Sequence, residues 1–159
     1  MNFALITGSC GLVGSESSIF FSKKKFQIIG IDNNYRKKFF GNEGDITWIK
    51  KNLKKNIKNY NHLDIDIRSY SKLEKVFSKY KSNIKVIIHA AAQPSHDWAK
   101  NKPFVDFEIN AKGTLNLLEL TKIYCPNAPF IFMSTNKIYG DNPNYLPLVE
   151  KKTRWEIKN

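Results

Sequence analysis

Cysteine is scarce. The 159 residues hold only Cys10 and Cys125, in no metal-ligand or disulfide spacing. That excludes a cysteine-based zinc module and a disulfide-stapled secreted scaffold, and no metal site is expected. A reducing cytoplasm is the expected compartment. Long apolar runs are missing too. The longest lies near 86–92, far short of the ~18 residues of a membrane span, so no membrane partner is expected. The apolar N-terminus lacks the basic flank and cleavage pattern of a signal peptide. No G-x-x-x-x-G-K-[ST] occurs, so P-loop nucleotide hydrolysis has no support. Acidic side chains are few, 14 against 26 basic, for a net charge of +12. Half of that excess falls within 33–60, where eight Lys and Arg face only Glu43 and Asp45. Most are Lys, no aromatic-interleaved stripe accompanies them, and Lys, Asn and Ile crowd the whole chain. This reads as a solvated basic face, with attraction of an anionic nucleotide as the alternative; no nucleic-acid partner is expected.

What is present is an alternation. Apolar runs at 2–8, 26–32, 62–66, 85–92 and 129–135 read as strands. Between them, 13–24, a basic segment with Ile46, Ile49, Leu53 and Ile57 on one face, a segment with Leu73, Val76, Phe77 and Tyr80 inward, and 104–124 read as helices. Ser71 and Glu74 have the spacing of a capping box. Near-continuous apolar strands alternating with helices predict an α/β fold: a Rossmann-type doubly wound parallel sheet, five strands long. Residues 1–140 form the dinucleotide-binding portion, and 141–159, turn-rich and without clear periodicity, read as an extended tail.

The first strand opens onto "GSCGLVG", with Gly8, Gly11 and Gly14 spaced G-x-x-G-x-x-G. A glycine triplet alone says little. This one follows a strand, opens a helix, and is followed by a second strand ending in Asp32, 18 residues past Gly14. Without side chains, the backbone turns tightly and approaches a pyrophosphate, which the free N–H groups of the helix start attract. Cys10, Leu12 and Val13 belong to that contact. Asp32 can accept hydrogen bonds from the adenosine ribose and would repel a 2′-phosphate, favouring NAD over NADP; Arg36, close by with Asn33, leaves NADP open. Further candidates stand where other strands end. Asp66 and Ile67 lie near the adenine position, or are a polar turn and a core residue. In "HAAAQ", Ala90, Ala91, Ala92 and Gln93 let a cofactor approach the backbone, or pack a strand on a helix. His89 reads as a packed strand residue. Asn110, in an apolar helix, braces the site or is exposed. Ser134 and Thr135 close the fifth strand where a substrate would lie; on sequence alone such a pair is usually structural.

Taken together, the glycine loop, Asp32, "DI" at 66–67, "HAAAQ", "INAKGTLNLLE" and "STNKIYGD" resemble the extended short-chain dehydrogenase/reductase family, specifically its NAD-dependent nucleotide-sugar epimerases and dehydratases. "STNK-x-YGD" after "GTLNLLE" is most similar to the CDP-paratose 2-epimerase (CDP-tyvelose epimerase) group. The resemblance covers 1–157 and implies NAD as cofactor, a nucleotide-sugar substrate, CDP-hexose for this group, and a homo-oligomeric parent. It implies catalytic Thr135, four residues before the tyrosine of the Y-G pair, bonding the sugar oxygen at the oxidised carbon. Dehydratases of the family carry an acidic pair after this Thr. Asn136 and Lys137 stand here instead, which favours epimerisation by transient oxidation; Lys137 would pair with a diphosphate or face solvent. One departure matters. The family's base is the tyrosine of a Tyr-x-x-x-Lys motif, and none follows Thr135. The expectation is therefore the N-terminal portion of such an epimerase, inactive alone. The alternatives are a non-catalytic nucleotide-binding module and a sugar-nucleotide dehydratase or reductase.

Overall fold

The computed structural model describes residues 1–158, apart from the side chains of Asn136 and Lys137. The possible diphosphate pairing of Lys137 lies outside the described residues. Five strands, β1 (Phe3–Thr7), β2 (Gln27–Ile31), β3 (Tyr60–Leu63), β4 (Ile84–His89) and β5 (Phe130–Phe132), form one sheet in the order β3-β2-β1-β4-β5. Every pairing in it is parallel. Parallel neighbours need crossovers, which the helices supply.

Residues 4–7 of β1 are all buried, because both faces of the strand are covered. Ala4 and Ile6 point into a core with Ile28, Val86 and Ile88 that α1 (Leu12–Lys23) and α3 (Thr47–Asn56) close. A five-residue helix, α2 (Arg36–Phe40), precedes α3. Leu5 points the other way, into a larger core with Ile29, Ile87, Leu73, Phe77, Leu117 and Leu120. The helices on that side are α4 (Tyr70–Tyr80) and α7 (Gly113–Tyr124). Two cores on two faces make the sheet doubly wound, as expected.

Some expected boundaries move. β3 begins at Tyr60, where it pairs with Ile28, and stops at Leu63, because Ile65 turns back to bond the Leu63 carbonyl. β4 ends at His89; beyond it the Ala91 amide bonds the Thr7 side chain instead of a strand. β5 spans three residues only and leaves Ile131, Phe132 and Met133 exposed along the sheet edge. The expected capping box does not form: α4 starts at Tyr70 with Ser69 as its N-cap, which places Ser71 inside the helix. The single helix expected over 104–124 is divided. α5 (His96–Asn101) and α6 (Pro103–Phe107) lead into a π turn, Glu108–Lys112, and then α7. The 141–159 tail carries an antiparallel pair, β6 (Leu148–Glu150) with β7 (Trp155–Ile157), where no regular element is expected. Its residues are mostly exposed.

Candidate functional site

A cleft of about 260 Å³ opens where β1, β2 and β4 end. Its floor is the turn from β1 into α1. Gly8 takes φ +65°, and a Cβ there would stand 2.7 Å from the Ala91 nitrogen. The loop thus lies directly on the backbone leaving β4, and small residues on both sides allow it. At Gly14 a Cβ would meet the Gly8 carbonyl oxygen at 2.0 Å, so the helix start is folded onto the loop. Gly11 is the N-cap of α1, and among the described residues no side chain caps this helix. Its first amides therefore face the cleft with the partial positive charge of a helix start.

Asp32 stands just past β2. One carboxylate oxygen accepts from the Cys10 amide at 3.0 Å and the other from the Asn34 amide at 2.9 Å. The side chain clasps the glycine loop, and each oxygen keeps a second lone pair for a ligand hydroxyl. Burial pushes its pKa up, and the two amide bonds oppose that. Cys10 contributes its amide; its thiol is buried, pushed up in pKa by burial, and turned to a smaller cavity behind Asp32.

On the β3 side, Asp66 and Ile67 line the cleft. The Arg68 guanidinium donates to both oxygens of Asp66, at 3.0 and 2.7 Å, and lies 4.9 Å from the centre of the Tyr35 ring. The hydrogen bonds of Arg68 and Asn33 hold the Asp66 carboxyl below its ordinary pKa against burial, the largest influence on it. Asn33 donates to Asp66 at 3.2 Å. The Arg36 guanidinium lies over Phe40, 4.8 Å from the ring centre, at the cleft margin.

From β4, Ala90, Ala91 and Ala92 line the cleft, whereas Gln93 and Asn110 stand behind it. The Asn110 side chain accepts from the Gln93 amide at 2.8 Å and donates to the Gln93 carbonyl at 3.1 Å. Asn110 sits in the π turn, and its side chain is the brace that holds the β4 exit. His89 is buried between Thr7 and Thr114, 2.7 and 2.9 Å away. Thr114 donates to the Asn110 carbonyl, so its oxygen accepts from His89 Nε2 and Thr7 donates to Nδ1. Thr7 in turn accepts from the Ala91 amide at 3.2 Å.

The structure brings thirteen of the expected residues to one cleft: Gly8, Gly11, Leu12, Val13 and Gly14, Asp32, Asn33 and Arg36, Asp66 and Ile67, and the three alanines. Ser134 and Thr135 are exposed after β5 and do not line it. The sequence reading overlooks Phe39, Ile65, Pro94 and Ile109 as cleft residues, and Arg68 as the partner of Asp66. An Arg two residues beyond the acid was the available signal; the apolar residues carried none.

Strand order, glycine loop and acid together define a dinucleotide-binding α/β fold of the Rossmann type. The comparisons carry this further. The NAD dependent epimerase/dehydratase family matches residues 4–156, and the chain belongs to that family. It is 35% identical over 141 residues to a CDP-paratose 2-epimerase of Salmonella typhi, covering 89% of this chain and 39% of that protein. It is 32% identical over 149 residues to a UDP-glucuronate 4-epimerase of Thermodesulfobacterium geofontis, 91% of this chain and 43% of that protein. Among solved structures, the UDP-Glc/GlcNAc 4-epimerase of Campylobacter jejuni superposes with a TM-score of 0.73 at 23% identity, over 100% of this chain and 44% of that one. The chain spans about two fifths of the length of these relatives. NAD is the cofactor of the family, as the glycine loop and Asp32 led one to expect. No helix among the described residues is long and apolar enough to cross a membrane.

Proposed function

We propose that this chain is the NAD-binding portion of a nucleotide-sugar epimerase acting on a CDP-hexose, with residues 1–140 as its cofactor domain. The observation that carries the reading is the glycine loop lying on the β4 exit while the Asp32 carboxylate holds the Cys10 amide. A side chain at Gly8 or Gly14 would push the loop off the β4 exit or off α1, so the glycines keep the loop low over the helix start, where its amides fit a pyrophosphate. The first-turn amides of α1 would hold that group, Asp32 the ribose hydroxyls, and the Asp66–Ile67 edge the adenine.

NAD, when bound, accepts and returns a hydride. The chain's own part is to bind, orient and exclude water, and Thr135 is the residue proposed to hold the sugar oxygen. It stands exposed just after β5. No Tyr-x-x-x-Lys follows Thr135 within the 159 residues, and by themselves they are proposed to bind NAD without turnover. The CDP-sugar assignment draws on "STNKIYGD" and on the similarity to the Salmonella epimerase. Titration calorimetry with NAD and NADP tests the cofactor reading. NAD should bind at least tenfold more tightly, because Asp32 faces the 2′ position. No binding of NAD, or a preference for NADP, overturns it.

A further inference from the structure

Gly30 of β2 has no room for a side chain: a Cβ would stand 2.4 Å from the Tyr60 hydroxyl oxygen. The ring of Tyr60, reaching from β3, occupies that space. Its hydroxyl lies 2.8 Å from Ser9 Oγ inside the glycine loop. Two residues along β3, on the same side of the sheet, His62 places Nδ1 3.3 Å from the same hydroxyl. Ser9 is fully buried and Tyr60 is 9% exposed. Hydrogen bonds therefore run beneath the cleft from Ser9 in the loop to Tyr60 and His62 on β3. Above them the Cys10 amide bonds the Asp32 carboxylate.

We propose that Tyr60 and His62 are positioning residues, a strut from β3 under the glycine loop that holds the loop amides in place beside the Asp32 carboxylate. This rests on the dinucleotide reading of the cleft. The need for it is physical. A turn with three glycines in seven residues has unusual backbone freedom, and the pyrophosphate contacts require it in one conformation. Backbone contacts pin Gly8 and Gly14. Ser9 lies between them, and the Tyr60 hydroxyl is what holds its side chain. Gly30 is the permissive partner, since any Cβ there displaces the ring.

The test uses the chain with Tyr60→Phe, Ser9→Ala and the double substitution. Two quantities are read: amide hydrogen exchange of residues 8–14 without cofactor, and the Kd for NAD. Tyr60→Phe keeps the ring, so the fold should persist. Exchange across 8–14 should rise while that of β4 stays unchanged, and the Kd should rise about fivefold, the worth of one buried hydrogen bond. Ser9→Ala should do the same, and the double variant should be no worse than the weaker single one, because both remove one bond. Unchanged loop exchange overturns the proposal. So do multiplying effects in the double variant, or a uniform rise across all strands, which marks a merely structural role. If the unsubstituted chain binds no NAD, the dinucleotide reading fails, and the exchange data still decide the strut.

Discussion

Gly14→Ala sets two well-measured effects against each other. In an ordinary helix interior the change gains about 1 kcal/mol. Here the new Cβ would stand 2.0 Å from the Gly8 oxygen, 2.6 Å from the Gly8 carbon and 2.8 Å from Ser9 Cα. All three are backbone atoms, so no rotamer relieves the contact. The loop must lift off α1 by at least about 1 Å to restore the 3.0 Å that real Cβ contacts keep. It cannot do so freely, because Gly8 rests on Ala90 and Ala91. Overpacking of this kind costs about 1–3 kcal/mol or more. With three backbone atoms in the way, the upper end applies and exceeds the helix gain. The expected net loss is about 2 kcal/mol, or about 4–8 °C in Tm for a domain of this size. Gly11→Ala is the control. Its Cβ meets only the Gly8 oxygen, at 3.3 Å, and Gly11 has φ −76°. It should cost less than about 1 kcal/mol, by the ordinary tolerance of small packing changes. Thermal unfolding followed by circular dichroism measures both. A Gly14→Ala chain within 1 °C (roughly) of the unsubstituted protein, or Gly11→Ala as the worse of the two, would refute this reasoning.

Two further outcomes follow from buried charge. His89 is 2% exposed, and burial holds its pKa at about 4 against 6.5. The unfolded chain takes up a proton near 6.5 that the folded one refuses, so stability is full above that pH and falls as pH drops toward 4. At about 1.4 kcal/mol per pH unit, the loss from this residue reaches about 2 kcal/mol by pH 5. Urea melts at pH 7 and 5 should show it, and His89→Asn should flatten the difference; an unchanged slope would sink the assignment. Arg68→Ala should weaken NAD binding and lower Tm, since Asp66 and Tyr35 lose the group that joins them. Arg68→Lys should recover less than half of either loss, because an ammonium cannot reproduce the planar fork. Full rescue by lysine would mean that charge alone matters there.

Much of the site was legible because its residues are close in sequence. Gly8, Gly11 and Gly14 fall in one turn, and a strand end locates Asp32 without any knowledge of packing. The supports were legible only in part. Asn110 reads as a brace or an exposed residue, and its bonds to Gln93 decide for the brace. His62 reads as the first residue of the third strand, and Tyr60 falls outside it. Thr135 stood out through its motif, yet it lies apart from the cleft that the other residues share.

The linear pattern by itself determined the parallel, two-faced sheet and the strand ends that carry the ligand groups. Apolar runs and glycine spacing act locally, through burial and backbone freedom. The partners of those groups were decided by tertiary structure alone. Register sets β3 so that Tyr60 crosses Gly30 and reaches Ser9, 51 positions earlier in the chain. Such contacts depend on which strand lies beside which, and at what offset. A one-residue slip would turn Tyr60 to the opposite face of the sheet, leaving the glycine motif intact but its support gone.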